Sequence, residues 1–196
     1  MYNMEKHLLL KELQAKHTFP DADFPKLINL FENRIFKKNE MIFKAGEVVK
    51  QTYFIMKGCL RQYYINPEGT ERTIYFAKEG NWAGELNSFL HETPTNLSMQ
   101  ALEDMEVIFL NRKNWELAIT TIPTFTMYHI KNHQRIIVKL KEEVGKAVNE
   151  TPDEKYRRLL KENPELLQRL PQFQIAAYLG ITPETLSRIR KRHSKI

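Results

Sequence analysis

A single cysteine, Cys59, stands in this chain of 196 residues, so no internal disulfide can form and no all-thiolate zinc or iron–sulfur site can be built within one chain. No apolar run approaches the roughly 20 residues that a membrane-crossing helix needs, and Met1-Tyr-Asn-Met-Glu-Lys-His-Leu-Leu-Leu is too short an apolar start for a signal peptide. The expectation is a soluble, cytoplasmic protein with no membrane partner. Catalytic signatures are missing too: there is no Gly-x-Ser-x-Gly, no phosphate loop and no Cys/His nucleophile pair. A metal-dependent enzyme of the cupin type needs several His or carboxylates converging inside a small barrel, and His91 is the one histidine between Arg34 and Leu110. His129 and His133, four apart, have no carboxylate between them. No metal, no certain cofactor and no catalytic residue are therefore expected.

What the chain does have is positive charge, gathered at one end. The formal charge is +6 and the pI about 9.3, which favours a polyanionic partner. From Arg188 onward Arg188, Arg190, Lys191, Arg192 and Lys195 are cations, with no acid among them. The stretch leading into this cluster is Pro171-Gln-Phe-Gln-Ile-Ala-Ala-Tyr-Leu-Gly-Ile-Thr-Pro-Glu-Thr-Leu-Ser-Arg-Ile-Arg-Lys191. Pro171 suits a first helical turn, and Phe173, Ile175, Ala176 and Leu179 form one apolar stripe. Gly180 stops that helix, Ile181 plugs the corner, and Thr182 followed by Pro183 reads as N-cap and first residue of a second helix. Leu186 and Ile189 face inward, which leaves Glu184, Thr185, Ser187, Arg188, Arg190 and Lys191 outside. The spacing predicts a helix-turn-helix whose DNA-contacting residues are Thr182, Pro183, Glu184, Thr185, Ser187, Arg188, Arg190 and Lys191. Arg188 has the planar fork that pairs with guanine N7 and O6, Glu184 accepts from cytosine N4, and the outer lysines and arginines suit phosphates. A protein-interaction module built from the same two helices is the competing reading.

Upstream, Leu8, Leu9 and Leu13 give a helix from about Glu5 to Lys16, and Asp23 is placed to cap a second one holding Leu27, Ile28, Leu30 and Phe31. Short runs rich in β-branched and aromatic residues then follow between turn residues: Glu40 to Phe43, Tyr53 to Met56, Leu60 to Ile65, Glu71 to Phe76, Leu97 to Ala101 and Glu106 to Leu110. They predict an antiparallel sandwich or barrel, with Asn66-Pro67-Glu68-Gly69 as a hairpin turn. After Pro123 the period returns to helical. Ile130, Ile137 and Val144 recur every seven residues, with His133, Leu140 and Ala147 three after each, an a/d seam of about three heptads. Such a seam packs either on its own barrel or against a second copy in a parallel dimer. Thr151-Pro152-Asp153-Glu154 is a capping box that opens a further helical domain with Tyr156, Leu159 and Leu160 as its apolar stripe.

The order of these parts, with Phe43-Lys-Ala-Gly-Glu47, Tyr53-Phe-Ile-Met-Lys-Gly58, Gly69, Gly84-Glu85-Leu86 followed by Phe89, Ala101-Leu-Glu-Asp-Met-Glu-Val107 and Ile175 through Arg190, resembles the Crp/Fnr superfamily of bacterial transcription regulators. The resemblance implies an α+β fold: a cyclic-nucleotide-binding-like antiparallel β jelly-roll barrel with helical lead-in over 1–122, a dimerisation helix over 123–150, and an all-α helix-turn-helix domain over 151–196. It implies a homodimer on a two-fold symmetric operator in double-stranded DNA, with Glu184 and Arg188 at base-reading positions, and it admits RNA polymerase as a further partner. It places an effector pocket around Gly84, Glu85, Leu86, Thr95 and Asn96. Nucleotide-binding members carry Arg and Ser or Thr where this chain has Thr95-Asn96-Leu97, so a cyclic phosphate loses its charge-assisted partner and cyclic AMP is not the expected ligand. Arg61 or Arg72 turned inward is the one substitute cation. With only His193-Ser-Lys-Ile after the reading helix, a short member without a β-hairpin wing is expected. The barrel either senses an unidentified small molecule or serves as an effector-independent scaffold.

Overall fold

A computed structural model describes residues 5–147 and 150–193, without the side chains of residues 5, 6 and 147. By its own packing the chain divides into two units, Met1–Gln62 with Phe76–Lys139, and Tyr63–Tyr75 with Leu140–Ile196.

In chain order come α1 (Glu5–Lys16) and α2 (Phe24–Ile28), then strands β1 (Glu32–Phe36), β2 (Met41–Phe43), β3 (Gln51–Lys57) and β4 (Cys59–Ile65). Strand β5 (Glu71–Lys78), β6 (Trp82–Ala83), α3 (Leu86–His91), β7 (Ser98–Ala101), β8 (Met105–Asn111), α4 (Arg112–Thr121) and α5 (Pro123–Ala147) follow. The strands form two sheets, ordered β1-β8-β3-β6 and β2-β7-β4-β5. Pairing is antiparallel, with Glu32 opposite Phe109 in β1/β8 and Phe54 opposite Ile108 in β3/β8. Side chains alternate along a strand, and here the alternation separates two cores. Tyr53, Ile55, Val107 and Phe109 join Phe36, Phe43, Leu60, Met99 and Met105 in one cluster. Their neighbours Phe54, Ile108 and Leu110 turn the other way and pack with Leu9, Leu13, Leu27, Ala118, Phe125 and Tyr128 from the helices. One sheet is thus apolar on both faces, and α1, α4 and the start of α5 cover the second face.

The six runs expected as strands are all strands. Two elements carry no such signal. Strand β1 reads Glu-Asn-Arg-Ile-Phe, with only Phe36 buried, because it pairs through its backbone at the sheet edge. Strand β6 is two residues long. Asp23 is not the cap proposed for α2: its backbone is helical (φ −88, ψ −21) and it makes no capping bond, whereas a capping side chain needs an extended residue to reach back. Its carboxylate instead accepts from Lys26 Nζ at 3.0 Å and Thr124 Oγ1 at 2.8 Å. Leu30 and Phe31 lie beyond the end of that helix.

In the second unit, Asn66 to Gly69 makes the hairpin turn, the Gly69 N–H donating to Asn66 O at 2.9 Å. The unit also holds the end of α5, then α6 (Pro152–Glu162), α7 (Pro164–Arg169), α8 (Gln172–Leu179) and α9 (Pro183–His193). Helix α6 starts with the predicted capping box: the Thr151 hydroxyl accepts from the Glu154 N–H, and the Glu154 carboxylate accepts from the Thr151 N–H at 2.8 Å. Leu160 departs from the expected apolar stripe. It is exposed while Tyr156 and Leu159 are buried, since the one-residue step from Leu159 turns it about 100° around the helix.

Candidate nucleic-acid interface

The turn between α8 and α9 has the geometry its residues demand. Gly180 sits at φ +72 and ψ +29, the left-handed closing position, where a side chain is strained. The Thr182 Oγ1 accepts from the Thr185 N–H at 3.3 Å, so Thr182 caps α9 as expected. Leu186 and Ile189 are buried, as are Ile175, Ala176 and Leu179 opposite them. Phe173 is the exception to the α8 stripe: it is exposed, and Gln174 is buried in its place. Two residues from Ile175, Phe173 stands across the helix from it.

With its apolar side committed inward, α9 presents Glu184, Ser187, Arg188 and Lys191 to solvent, with Thr185 and Arg190 half-buried at the flanks. The Arg188 Nη2 donates to Thr185 Oγ1 at 3.0 Å, which holds the guanidinium along the helix surface. The carboxyl of Glu184 lies below its ordinary range because its own N–H and the Thr182 hydroxyl bond it, with Arg188 adding attraction. It is an acceptor at neutral pH. Beside this face lies a groove of about 400 Å³ lined by Tyr156, Leu160, Gln172, Ser187, Arg190, Lys191 and His193. Gln172, the first residue of α8, enters the candidate interface here. Sequence reading passed it over, although a polar residue at a helix start is the available signal. The far end of α9 is tied to α6, with His193 Nε2 3.0 Å from Asp153 Oδ2 and Arg192 Nη2 2.9 Å from Asp153 Oδ1. The Asp153 carboxyl is lowered by the His193 bond first, then by the charges of His193, Arg192 and Arg157. Lys195 lies outside the described residues.

Along α5, Ile130, Ile137, Leu140 and Val144 are exposed, while His133 is half-buried with Nδ1 2.8 Å from the His129 carbonyl. Ile136 and Val138 widen the exposed apolar surface. The seam position Ala147 ends the helix, and its side chain lies outside the described residues. His129 belongs to packing: Phe125, Tyr128, Trp82 and Trp115 surround its ring at centroid distances of 4.4–6.1 Å.

Around the candidate effector pocket, Gly84 adopts φ +155, and a Cβ there would stand 3.5 Å from the Gln51 carbonyl. Both Glu85 oxygens accept backbone N–H groups that start α3, from Asn87 at 3.0 Å and Ser88 at 2.8 Å. Thr95 is buried with Oγ1 accepting from the Leu97 N–H at 3.0 Å. The Ser88 hydroxyl, donating to Thr93 O at 2.5 Å, links the two segments. Leu86 and Asn96 face solvent. Gln62, which the sequence did not single out, reaches the Gly84 carbonyl at 3.5 Å. Arg61 is buried, but its Nε and Nη2 donate to Gln100 Oε1 at 3.0 and 2.8 Å. Gln100 lies between Met99 and Ala101, both in the barrel core, so alternation puts this contact on the opposite face of the sheet. Arg72 falls in the second unit, its Nη1 3.8 Å from the Cβ position of Gly180. Among the described residues no helix is long and apolar enough to cross a membrane.

Residues 33–121 match the model of the cyclic nucleotide-binding domain. The chain is 26% identical over 202 residues to the fumarate and nitrate reduction regulatory protein of Yersinia pestis, covering 95% of this chain and 78% of that protein. It is 27% identical over 90 residues to the anaerobic regulatory protein of Bacillus subtilis, a match spanning 46% of this chain and 38% of the relative. Among solved structures, the catabolite activator protein of Thermus thermophilus superposes with a TM-score of 0.60 at 22% identity, over 94% of this chain and 87% of the other.

Proposed function

We propose that the chain is a Crp/Fnr-type regulator, sequence-specific for a two-fold symmetric DNA operator that it binds as a homodimer in the cytoplasm; the cyclic nucleotide-binding match and the regulatory relatives support this. The observation that carries this is α9: its apolar residues Leu186 and Ile189 are buried, and Glu184, Ser187, Arg188 and Lys191 are left outward. Arg188 and Glu184 read base edges, while Gln172, Ser187, Arg190 and Lys191 hold phosphates. Helix α5 supplies the dimer contact through Ile130, His133, Ile137, Leu140, Val144 and Ala147, and parallel pairing brings two copies of α9 to half-sites about 34 Å apart. Contact with RNA polymerase belongs to the same reading. The working division is a barrel over 1–122, a dimerisation helix over 123–150 and a reading domain over 151–196.

The barrel senses a ligand other than cyclic AMP. Three points speak against cyclic AMP: by the resemblance Thr95 falls where nucleotide-binding members carry their phosphate-pairing Arg, Glu85 is engaged by α3, and Arg61 donates to Gln100. A phosphate seated there lacks a cationic partner. Effector-independent binding, with the barrel as scaffold, is the second reading.

Selection from random duplexes with the full-length protein, repeated with cyclic AMP, cyclic GMP and fractionated metabolites, tests both. A palindromic motif is expected, unchanged by cyclic AMP, and enrichment altered by one fraction separates sensing from scaffold. Arg188→Ala is expected to cost about 1–3 kcal/mol of operator binding and to relax preference at one base pair. Unaltered affinity and selectivity in that variant overturn the base-reading assignment.

A further inference from the structure

We infer that Arg158 is the positioning residue that locks the DNA-reading helices to the end of the dimerisation helix, and so sets which half-site spacing the dimer accepts. Arg158 lies on α6, away in sequence from the reading residues of α9. Its Nε and Nη2 donate side by side to the two carboxylate oxygens of Glu150, each at 2.9 Å. Its Nη1 lies 2.8 Å from Glu143 Oε2, on α5. Glu162, the i+4 neighbour on its own helix, is more distant at 3.9 Å.

That preference matters, because a surface arginine on a helix ordinarily settles on its i,i+4 partner, as Arg157 does on Asp153 at 3.3 Å. Arg158 reaches across elements instead. Its side chain is 20% exposed and that of Glu150 is 16% exposed, against 58% for Arg157. A two-pronged guanidinium–carboxylate pair that is largely out of water has fixed geometry as well as charge. The Glu150 N–H also donates to Lys146 O at 2.8 Å, which attaches the Glu150 side of the fork to α5 through the backbone. Both short contacts of Arg158 therefore lead to α5 or to the residue bonded to it.

The reading helix follows α6 as one body. Helix α8 packs against both α6 and α9, and the Asp153 contacts of Arg192 and His193 pin the end of α9 to the start of α6. With α6 to α9 coupled, the angle between α6 and the end of α5 sets where α9 stands relative to Leu140 and Val144, and Arg158 fixes that angle. Its consequence for operators rests on the DNA-reading proposal, whereas the tie itself does not.

The test uses full-length protein with spin labels on Lys141→Cys in α5 and Gln168→Cys in α7, both exposed positions; the native Cys59 is buried and stays unlabelled. One narrow distance within the chain is expected, broadened in Arg158→Met and in Arg158→Lys, which keeps the charge but loses the fork. Where Arg158→Met fails to fold, Glu143→Gln leaves the Glu150 fork in place while removing the charge of the α5 contact, together with the Glu143–Lys146 pair at 3.5 Å within α5, and is expected to broaden the distance, whereas Lys146→Gln, which removes that pair alone, is not. In parallel, operators with one or two base pairs added between half-sites are titrated. Simultaneous engagement is worth roughly 100-fold when geometry fits, and the variants are expected to reduce the penalty for a wrong spacing from roughly 100-fold to roughly 10-fold. Weakening that is uniform across spacings, with an unchanged narrow distance, overturns the proposal, because a merely stabilising residue behaves that way. If the wild-type chain selects no operator but the distance broadens in the variants, the tie stands and the DNA reading falls.

Discussion

Phe125, Tyr128 and Asn132, in the first half of α5, are 0%, 0% and 6% exposed, whereas Ile137, Leu140 and Val144, in the second half, are 55%, 61% and 59% exposed. Both sets recur at helical spacing on one uninterrupted helix. Phe125 and Tyr128 pack in one cluster with Leu9, Leu13 and Phe54 from the same chain, the Trp82 Nε1 donating to the Tyr128 hydroxyl at 2.8 Å, and the Asn132 Oδ1 accepts from Lys16 Nζ at 3.1 Å. The second set faces solvent, and each such side chain forgoes about 1.5–3 kcal/mol of burial. Hydrophobic period thus marks the face that must be covered, without saying whether the same chain or a second copy covers it.

Substitutions in the two halves should fail differently. Phe125→Ala, in the covered half, is expected to cost about 3–5 kcal/mol of unfolding free energy through the cavity it leaves. Denaturant titration at several protein concentrations checks it, and a loss that disappears at high concentration would mean that the first half is also a dimer surface. Leu140→Asp, in the open half, is expected to leave the protomer folded and to weaken dimerisation by about 2–4 kcal/mol. Sedimentation shows this directly, and a variant that remains dimeric removes the seam.

His129 lies between Tyr128 and Asn132, toward the boundary of the two halves. Burial, with a smaller contribution from the charge of His133, pushes its imidazole down to about 3 from an ordinary 6.5. Both ring nitrogens are buried with no hydrogen-bond partner, so the folded protein holds it neutral. The unfolded chain binds the proton first as pH falls, so stability is full above about pH 6.5 and declines below it, by about 2 kcal/mol at pH 5. His129→Phe is expected to flatten that decline, measured by denaturant titration across pH 5–7.5. An equal slope in the variant would assign the acid sensitivity elsewhere.

The candidate interface was more legible than the pocket. Gly180, Thr182-Pro183, Leu186 and Ile189 act within a few residues of one another, so caps, turn and inward face followed from local chemistry. The capping box at Thr151 was legible for the same reason. Phe173, Leu160 and Asp23 were misassigned because short helices tolerate more than one choice of buried face, and a cap depends on backbone angles that residue type leaves open. Around Gly84 the difficulty was of another kind. Whether Glu85 serves a ligand or α3, and which side of its sheet Arg61 occupies, depends on segments far apart in the chain.

The sequence alone determined the succession of elements, the charged outward face of α9 and the existence of an apolar seam on α5, because these rest on periodicity, capping and turn chemistry acting over a handful of residues. Only the tertiary structure decided that Arg158 bypasses Glu162 for Glu143 and Glu150, that Gln172 joins Ser187 and Lys191, and that His129 is enclosed by aromatic rings. Those outcomes depend on which distant side chains meet out of water, where unpaired charge and polarity are costly and the geometry of packing selects the partner.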